Sequence, residues 1–378
     1  MNDTGLMRPL EGLRVLDFST LLPGPMATLV LAEAGAEVIK IERPGRGDEM
    51  RSYVPKFGDD SVNFALLNRG KRSLAIDLKQ ANVVETLRPL IESADIVVEQ
   101  FRPGVMDRLG LGYEALGAIN PKIIYCAITG YGQHGPAANV AAHDLNYVAE
   151  SGMLGLTSGS DGSPVLPPAL IADIAGGTYP ALVNILLALR QRDRTGKGCK
   201  LDIAMADNLF TFMYWAIGNG QVGNWPAPGG ELVTGGTPRY QIYRTGDGKF
   251  LAAAPLEQKF WENFIEAIGA PRALLDDSGA PDAVKAKLQE IIGSQPAQHW
   301  RSVLEGKDVC CTIVASVQEA MQNPHFQSRG LFSRELADGD AKIVALPVPV
   351  SEQFRSPENS DGYPALGEAN REFGIGNS

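Results

Sequence analysis

Short apolar runs alternating with helical patterns constrain this chain more than any other feature. Leu13-Arg14-Val15-Leu16-Asp17-Phe18 reads as a first strand, and residues 37–42, 95–99 and 123–128 repeat the type. A shorter extended stretch covers 73–78. Between these lie helical stretches: 26–34, which Gly35 stops, then 83–93 and 113–119. A turn, Leu22-Pro23-Gly24-Pro25, follows the first strand. Strand, helix and strand in succession predict a parallel sheet with helices on both faces and right-handed connections. The fold class expected is therefore α/β.

A chain of 378 residues with 44% hydrophobic content can bury a large core and form two domains. Composition shifts after about Met213. Residues 225–238 are rich in Gly and Pro, as a linker or mobile loop would be. Gln241-Ile242-Tyr243-Arg244 and residues 250–254 then flank Thr245-Gly246-Asp247-Gly248, a strong hairpin signal. Helical patterns follow at 258–267 and 283–292.

Charge and composition exclude several function classes. A net charge of −10 argues against a nucleic-acid footprint over the whole protein. Of the four cysteines, Cys310 and Cys311 are adjacent, while Cys126 and Cys199 stand alone. None has metal-ligand spacing, so no metal site is expected, and they read as reduced thiols of a cytoplasmic protein. Residues 1–9 carry Asp3 and no apolar stretch, unlike a signal peptide. The best apolar run, 179–189, falls short of the ~20 residues of a membrane span. Gly24 lies between two prolines, so the dinucleotide fingerprint fails. No phosphate-binding loop, Gly-x-Ser-x-Gly or His-Glu-x-x-His occurs.

The candidate chemistry rests on His143 and Asp173. His143 is one of only four histidines and stands beside an acid in Ala141-Ala142-His143-Asp144-Leu145-Asn146-Tyr147. Asp173 is an isolated acid in an apolar run that breaks into Gly176-Gly177. An aspartate in such a setting costs free energy unless it is paired, hydrogen-bonded or protonated. One base on either side of a substrate carbon would suit proton abstraction. The residues alone leave a plainer alternative open: a satisfied polar His143, and Asp173 as an N-cap before the apolar helix. Basic residues recur at loop positions: Arg43, then Arg69, Lys71 and Arg72, then Arg102 and Arg108. Beyond strand C-termini they suit a phosphorylated ligand, although a solvated surface is the better account of bare charges.

Seven motifs together resemble the class III CoA-transferase superfamily. They are the segment Pro9–Asp17, Leu22-Pro23-Gly24-Pro25, residues 35–44, Phe101-Arg102-Pro103-Gly104-Val105, Arg108-Leu109-Gly110, residues 129–136 and Thr195-Gly196-Lys197-Gly198. They run in unbroken order at family-like intervals. The resemblance implies a large Rossmann-like domain over 1–213, completed by 331–378, and a linker with a smaller α+β domain over 214–330. It implies an obligate homodimer of interlocked chains, with residues 344–374 returning to the large domain. Pro347, Pro349 and Pro357 suit an extended crossing segment.

The resemblance also implies chemistry. The substrate would be an acyl-CoA, with no cofactor beyond the coenzyme A it carries and no nucleic-acid or membrane partner. Arg43 and Arg108 match positions that contact the nucleotide and phosphates in relatives, and Arg69 and Arg72 lie where relatives are also basic. Asp173 matches the nucleophile of the transferases, which form an aspartyl-CoA thioester. In the alpha-methylacyl-CoA racemases the same Asp exchanges a proton opposite a His inside His-Asp-x-Asn-Tyr. His143-Asp144-Leu145-Asn146-Tyr147 reproduces that motif, and Glu257 matches an acid assisting the pair. Two departures are Ala142, where racemases carry Gly, and Gln258-Lys259 after Glu257. The first expectation is a racemase or epimerase of a 2-methyl acyl-CoA. The second is an acyl-CoA:carboxylate CoA-transferase, and a third is a non-catalytic CoA-binding subunit.

Overall fold

The structure is a computed structural model that describes residues 8–356 and 360–376. The chain divides into two compact units. The first comprises Met1–Ser151, Pro168–Phe212 and Pro324–Ser378, and the second comprises Gly152–Pro167 and Met213–Asn323. The segment Gly152–Pro167, expected with the large domain, groups with the second unit. There the Gly229 N–H donates to the Leu156 carbonyl at 3.0 Å. Pro357 and residues 1–7 lie outside the described residues.

The first unit is built on six strands: β1 (Arg14–Asp17), β2 (Glu37–Glu42), β3 (Arg72–Ala75), β4 (Ile96–Glu99), β5 (Ile124–Thr129) and β6 (Cys199–Ala204). They pair in the order β3-β2-β1-β4-β5-β6, and every pairing is parallel. This is the doubly wound order, which reverses between β1 and β4. Strands β4 and β5 are buried along their whole length, as strands covered on both faces must be. Helix α1 (Pro23–Glu33) follows β1, α2 (Val83–Ser93) follows β3, and α3 (Val105–Arg108) and α4 (Tyr113–Ile119) lead from β4 to β5. Leu87 and Ile91 of α2 and Leu116 of α4 are fully buried in one core with Leu16 and Val97. Each such side chain contributes about 1.5–3 kcal/mol of burial.

The sheet's last strand, β6, is absent from the sequence reading. It follows the left-handed Gly196 (φ 71°) that ends the long helix before it. Gly198 passes so close to the Ile123 carbonyl that no side chain fits there. The chain's end closes the opposite edge. The Asn370 side chain accepts from the Ala75 N–H and donates to the Ala75 carbonyl, while the Ala369 N–H donates to Ser73.

Two further helices matter for the site: α5 (Asp144–Glu150) and α6 (Tyr179–Thr195). Residues Ala172–Thr178 form a π-helical segment that runs directly into α6. The combined helix, Ala172–Thr195, has 24 residues and is long and apolar enough by composition to cross a bilayer. This corrects the expectation of a run too short to do so, because the π-helical residues extend it. Half of it is buried, against β5, β6 and α1, as in a core helix.

The second unit carries a three-stranded antiparallel sheet: β7 (Gln241–Arg244), β8 (Phe250–Ala253) and β9 (Cys311–Ile313), in the order β9-β8-β7. The expected hairpin forms around Thr245-Gly246-Asp247-Gly248. Trp261, Phe264, Leu288 and Trp300 pack beneath it from three helices.

Candidate active site

The order reversal between β1 and β4 leaves a crevice beyond their C-terminal ends, the place where open α/β sheets bind ligands. A cleft of about 420 Å³ opens there. Thr20 and Leu21 line it from the loop after β1, Pro23 from the start of α1, Gln100, Phe101 and Arg102 from the loop after β4, and Thr129, Gly130 and Tyr131 from the end of β5. Gly24 lets the start of α1 meet the loop after β4. Its N–H donates to the Gln100 Oε1 at 2.8 Å, and a side chain there would overlap Ser19 and Gln100.

A buried charge network fixes the loop after β1. Asp17 accepts from the Ser19 hydroxyl, from Thr28 at 2.6 Å and from Lys71 at 3.2 Å. Burial alone would raise the Asp17 carboxyl, but Lys71 and Lys40, with the Ser19 and Thr28 hydroxyls, hold it below its usual range. Lys40 pairs with Asp48 at 2.9 Å, and both Asp48 oxygens accept from the Leu21 N–H. That bond holds Leu21 at φ 62°, a left-handed conformation that costs a non-glycine residue about 1–3 kcal/mol. The strained residue lines the cleft.

His143 and Asp173 line the same cleft. His143 is exposed and stands at the N-cap of α5. Two neighbours in its motif hold the turn. The Asn146 side chain accepts from the His143 N–H at 3.0 Å, and the Tyr147 hydroxyl donates to the Ala142 carbonyl at 2.9 Å. The Tyr147 ring sits against Gly130, where any side chain would overlap it. Tyr131 stacks edge-on to Tyr147 and hydrogen-bonds Glu150.

Asp173 is not an N-cap. It lies inside the π-helical segment, a wide turn that recurs at functional sites. Gly176, in the same segment, passes against the Met205 carbonyl too closely for any side chain. A side chain at Gly177 would crowd Met205 and Pro23. Met205 in turn lines the cleft. Burial pushes the Asp173 carboxyl up to about 6, the nearby Asp144 carboxylate adds to the rise, and His143 opposes it. The N–H groups around Asp173 are not open oxyanion donors. That of Asp173 donates to the Asp144 Oδ1 at 2.9 Å, that of Ile174 to the Leu170 carbonyl at 3.1 Å, and both glycines are within the helix.

The basic residues separate by environment. Arg43 is exposed and lines a second cavity, about 360 Å³, which shares Thr20 and Phe101 with the first. Asp77 and Lys79 line it with Arg43, while Val105 and Leu109 give it an apolar wall. Arg108 is exposed at the end of α3, whose start lines that cavity, and Arg102 is exposed beside the first.

Arg69 corrects the expectation of a ligand-binding cluster. It is 2% exposed, pairs with Glu33 at 2.7 Å and donates to the Leu346 carbonyl. Lys71 is buried on Asp17. Arg72 is half-buried, bonded to Glu37 and Glu372 and set over the Phe373 ring. These cations hold the chain's ends and loops together, because each has a carboxylate partner in the fold. Glu257 lies in the second unit. It is exposed before the helix Gln258–Ala267, and the neighbouring Lys259 pairs with Asp308 at 2.8 Å.

Sequence reasoning did not single out Gln100, Phe101, Thr20 or Tyr131 for the site. Their signal was positional: each stands just past the C-terminal end of a strand, Thr20 after β1, Gln100 and Phe101 after β4, and Tyr131 after β5.

The chain belongs to CoA-transferase family III, whose family model matches residues 10–370. Its curated relatives are enzymes with two kinds of activity. It is 34% identical to alpha-methylacyl-CoA racemase of Homo sapiens, covering 96% of this chain and 92% of the relative. It is 34% identical to acetyl-CoA:oxalate CoA-transferase of Acetobacter aceti, over 95% and 93%. It is 39% identical to succinyl-CoA:glutarate CoA-transferase of Mus musculus, over 92% and 81%. Among solved structures it resembles a CAIB/BAIF family protein from Brucella suis, with a TM-score of 0.81, 28% identity and coverage of 96% and 98%.

Proposed function

We propose that this enzyme racemises or epimerises a 2-methyl acyl-CoA by moving the alpha proton between two bases. The observation that carries the reading is that one cleft at the sheet's order reversal is lined by both His143 and Asp173. His143 removes the alpha proton from one face of the thioester, leaving an enolate. Asp173 delivers a proton to the other face, and the roles exchange for the opposite isomer. A carboxyl held at about 6 suits both giving and taking a proton near neutral pH. The coenzyme A part would occupy the second cavity, with Arg43 and Arg108 on its phosphates. Glu257 is assigned, by the resemblance alone, as an acid that assists the pair.

The transferase reading also has an observation in its favour: the relative at 39% identity is a CoA-transferase. There Asp173 would attack the thioester, and His143 would be a bystander. Incubation with 2-methyl acyl-CoAs in deuterated water, without any free carboxylate, separates the two. Deuterium at the alpha carbon is the expected result. Thioester exchange that needs an added carboxylate, with no deuterium uptake, overturns the racemase reading. In the same assay Arg43→Ala and Arg108→Ala raise KM more than they change kcat, since they hold a remote part of the ligand. Each lost phosphate contact is worth about 1.5–3 kcal/mol, and an unchanged KM in both removes them from the site.

We also propose that two chains interlock as a homodimer. Supporting this, Val183, Leu186 and Leu187 are each at least half exposed on one face of α6, an apolar stripe of the kind that marks an interface. The chain also leaves the first unit and returns to it at Pro324. Interlocked chains cannot part while folded, so sedimentation at nanomolar protein should show dimer alone. A folded monomer of ~40 kDa contradicts the interlock.

A further inference from the structure

We propose that Asp144 is a positioning residue, whose carboxylate fastens the main chain of Asp173 to the His143 turn and so fixes the spacing of the two reacting side chains. The inference rests on the reading that Asp173 is a reacting group, and holds for either activity of that group.

The first N–H groups of any helix lack partners within it. Asp173 stands in the first turn of the helix that begins at Ile171, and its N–H is one of these. The Asp144 Oδ1 accepts that N–H at 2.9 Å across 29 residues of sequence. Asp144 is itself 7% exposed and is the first residue of α5, directly after His143. One carboxylate thus lies at the N-terminal ends of two helices, where both dipoles favour negative charge. The consequence is mechanical: Asp173 cannot shift along its helix without breaking a part-buried, charge-assisted bond to the residue next to His143. Asn146 and Tyr147 hold the other side of the same turn. The His-Asp-x-Asn-Tyr motif therefore reads as one base followed by three residues that set its position against the second.

Asp144 also faces Asp173 as a like charge and helps burial keep that carboxyl high. His143 acts on it from the same turn in the opposite sense, and Tyr147, also on α5, is raised by burial and by both acids. The other elements packed on the π-helical segment, α1, α6, β6 and the helix Met205–Leu209, add no charge effect on Asp173.

The test compares Asp144→Asn, which keeps the acceptor oxygen and removes the charge, with Asp144→Ala, which removes both. Thermal melting checks that each variant folds. Asp144→Ala should lower kcat on the order of 10- to 100-fold with KM for acyl-CoA little changed, as misplacing a reacting group does. Asp144→Asn should retain kcat within a few-fold while the Asp173 limb of the pH profile moves to lower pH. Carbon-13 NMR of aspartate-labelled free protein, with the Asp173 signal assigned by its loss in Asp173→Asn, should show the same movement without any turnover. Wild-type kcat in Asp144→Ala, or a loss in Asp144→Asn as large as that in Asp144→Ala, overturns the proposal. Full activity in Asp173→Asn would instead refute the role of Asp173, and the NMR titration would still report on Asp144.

Discussion

Asp173→Asn should abolish turnover, by about 10⁴-fold or more, while coenzyme A still binds. A group required to complete turnover in either direction shows losses of this size when nothing else in the site substitutes for it. Asparagine keeps the shape but neither gives nor takes a proton at this pH, and it is not a nucleophile. The fold should survive the change. Asp173 is placed by its main chain, through its N–H to Asp144 and its carbonyl, which accepts from the Thr178 hydroxyl at 3.3 Å. Removing a buried carboxyl that stands beside another acid also relieves repulsion rather than adding strain. The wild type should show the matching pH dependence. As base or nucleophile Asp173 acts in its ionised form, and its carboxyl titrates near 6. Rates in the direction it initiates should therefore fall as pH drops through about 6, and the fall should be missing from any residual activity of Asp173→Asn. Titration calorimetry with coenzyme A measures binding, and chiral analysis of the thioester product measures turnover. Retention of most of the wild-type rate would remove Asp173 from the reaction in both readings.

The sheet was legible because its strands are buried. Strands β4 and β5 are apolar on both faces and appear in the sequence as continuous runs. Strand β6 was not. Cys199-Lys200-Leu201-Asp202 alternates between half-buried and exposed positions at the sheet's edge, and its polar residues hid it beside a glycine-rich turn. His143 and Asp173 were legible as a motif, and the cleft that unites them follows from strand order, which no local pattern carries. The widened turn at Asp173 was beyond reach for the same reason. It packs against the Met205 carbonyl through Gly176, a contact between residues far apart in sequence. Arg69 illustrates the reverse failure. Its charge in a loop promised a ligand, yet its partner, Glu33, lies 36 residues upstream and turns it into the interior. Charge can be counted from sequence; the direction of a side chain depends on what the rest of the fold offers it.

His143→Ala should cost ~10²–10⁴-fold in deuterium exchange at the alpha carbon, the usual worth of a positioned acid–base group. In a two-base mechanism each base serves one face of the substrate, so the loss should not be uniform. The isomer whose proton faces His143 should lose exchange almost entirely. The other isomer can still give its proton to Asp173 but cannot be reprotonated on the opposite face by the protein. It should therefore exchange without inverting, and wash-in should outrun racemisation. His143→Gln gives the same result if the imidazole acts by proton transfer, since glutamine fills space and bonds but does not titrate. The fold should again tolerate both changes, because His143 is exposed and its turn is held by the Asn146 and Tyr147 side chains. In a transferase, by contrast, Asp173 attacks the thioester carbonyl and no alpha proton moves. Measuring wash-in and optical inversion separately for each isomer decides between them. If His143→Ala retains near-normal thioester exchange with an added carboxylate, His143 is a bystander and the transferase reading takes its place.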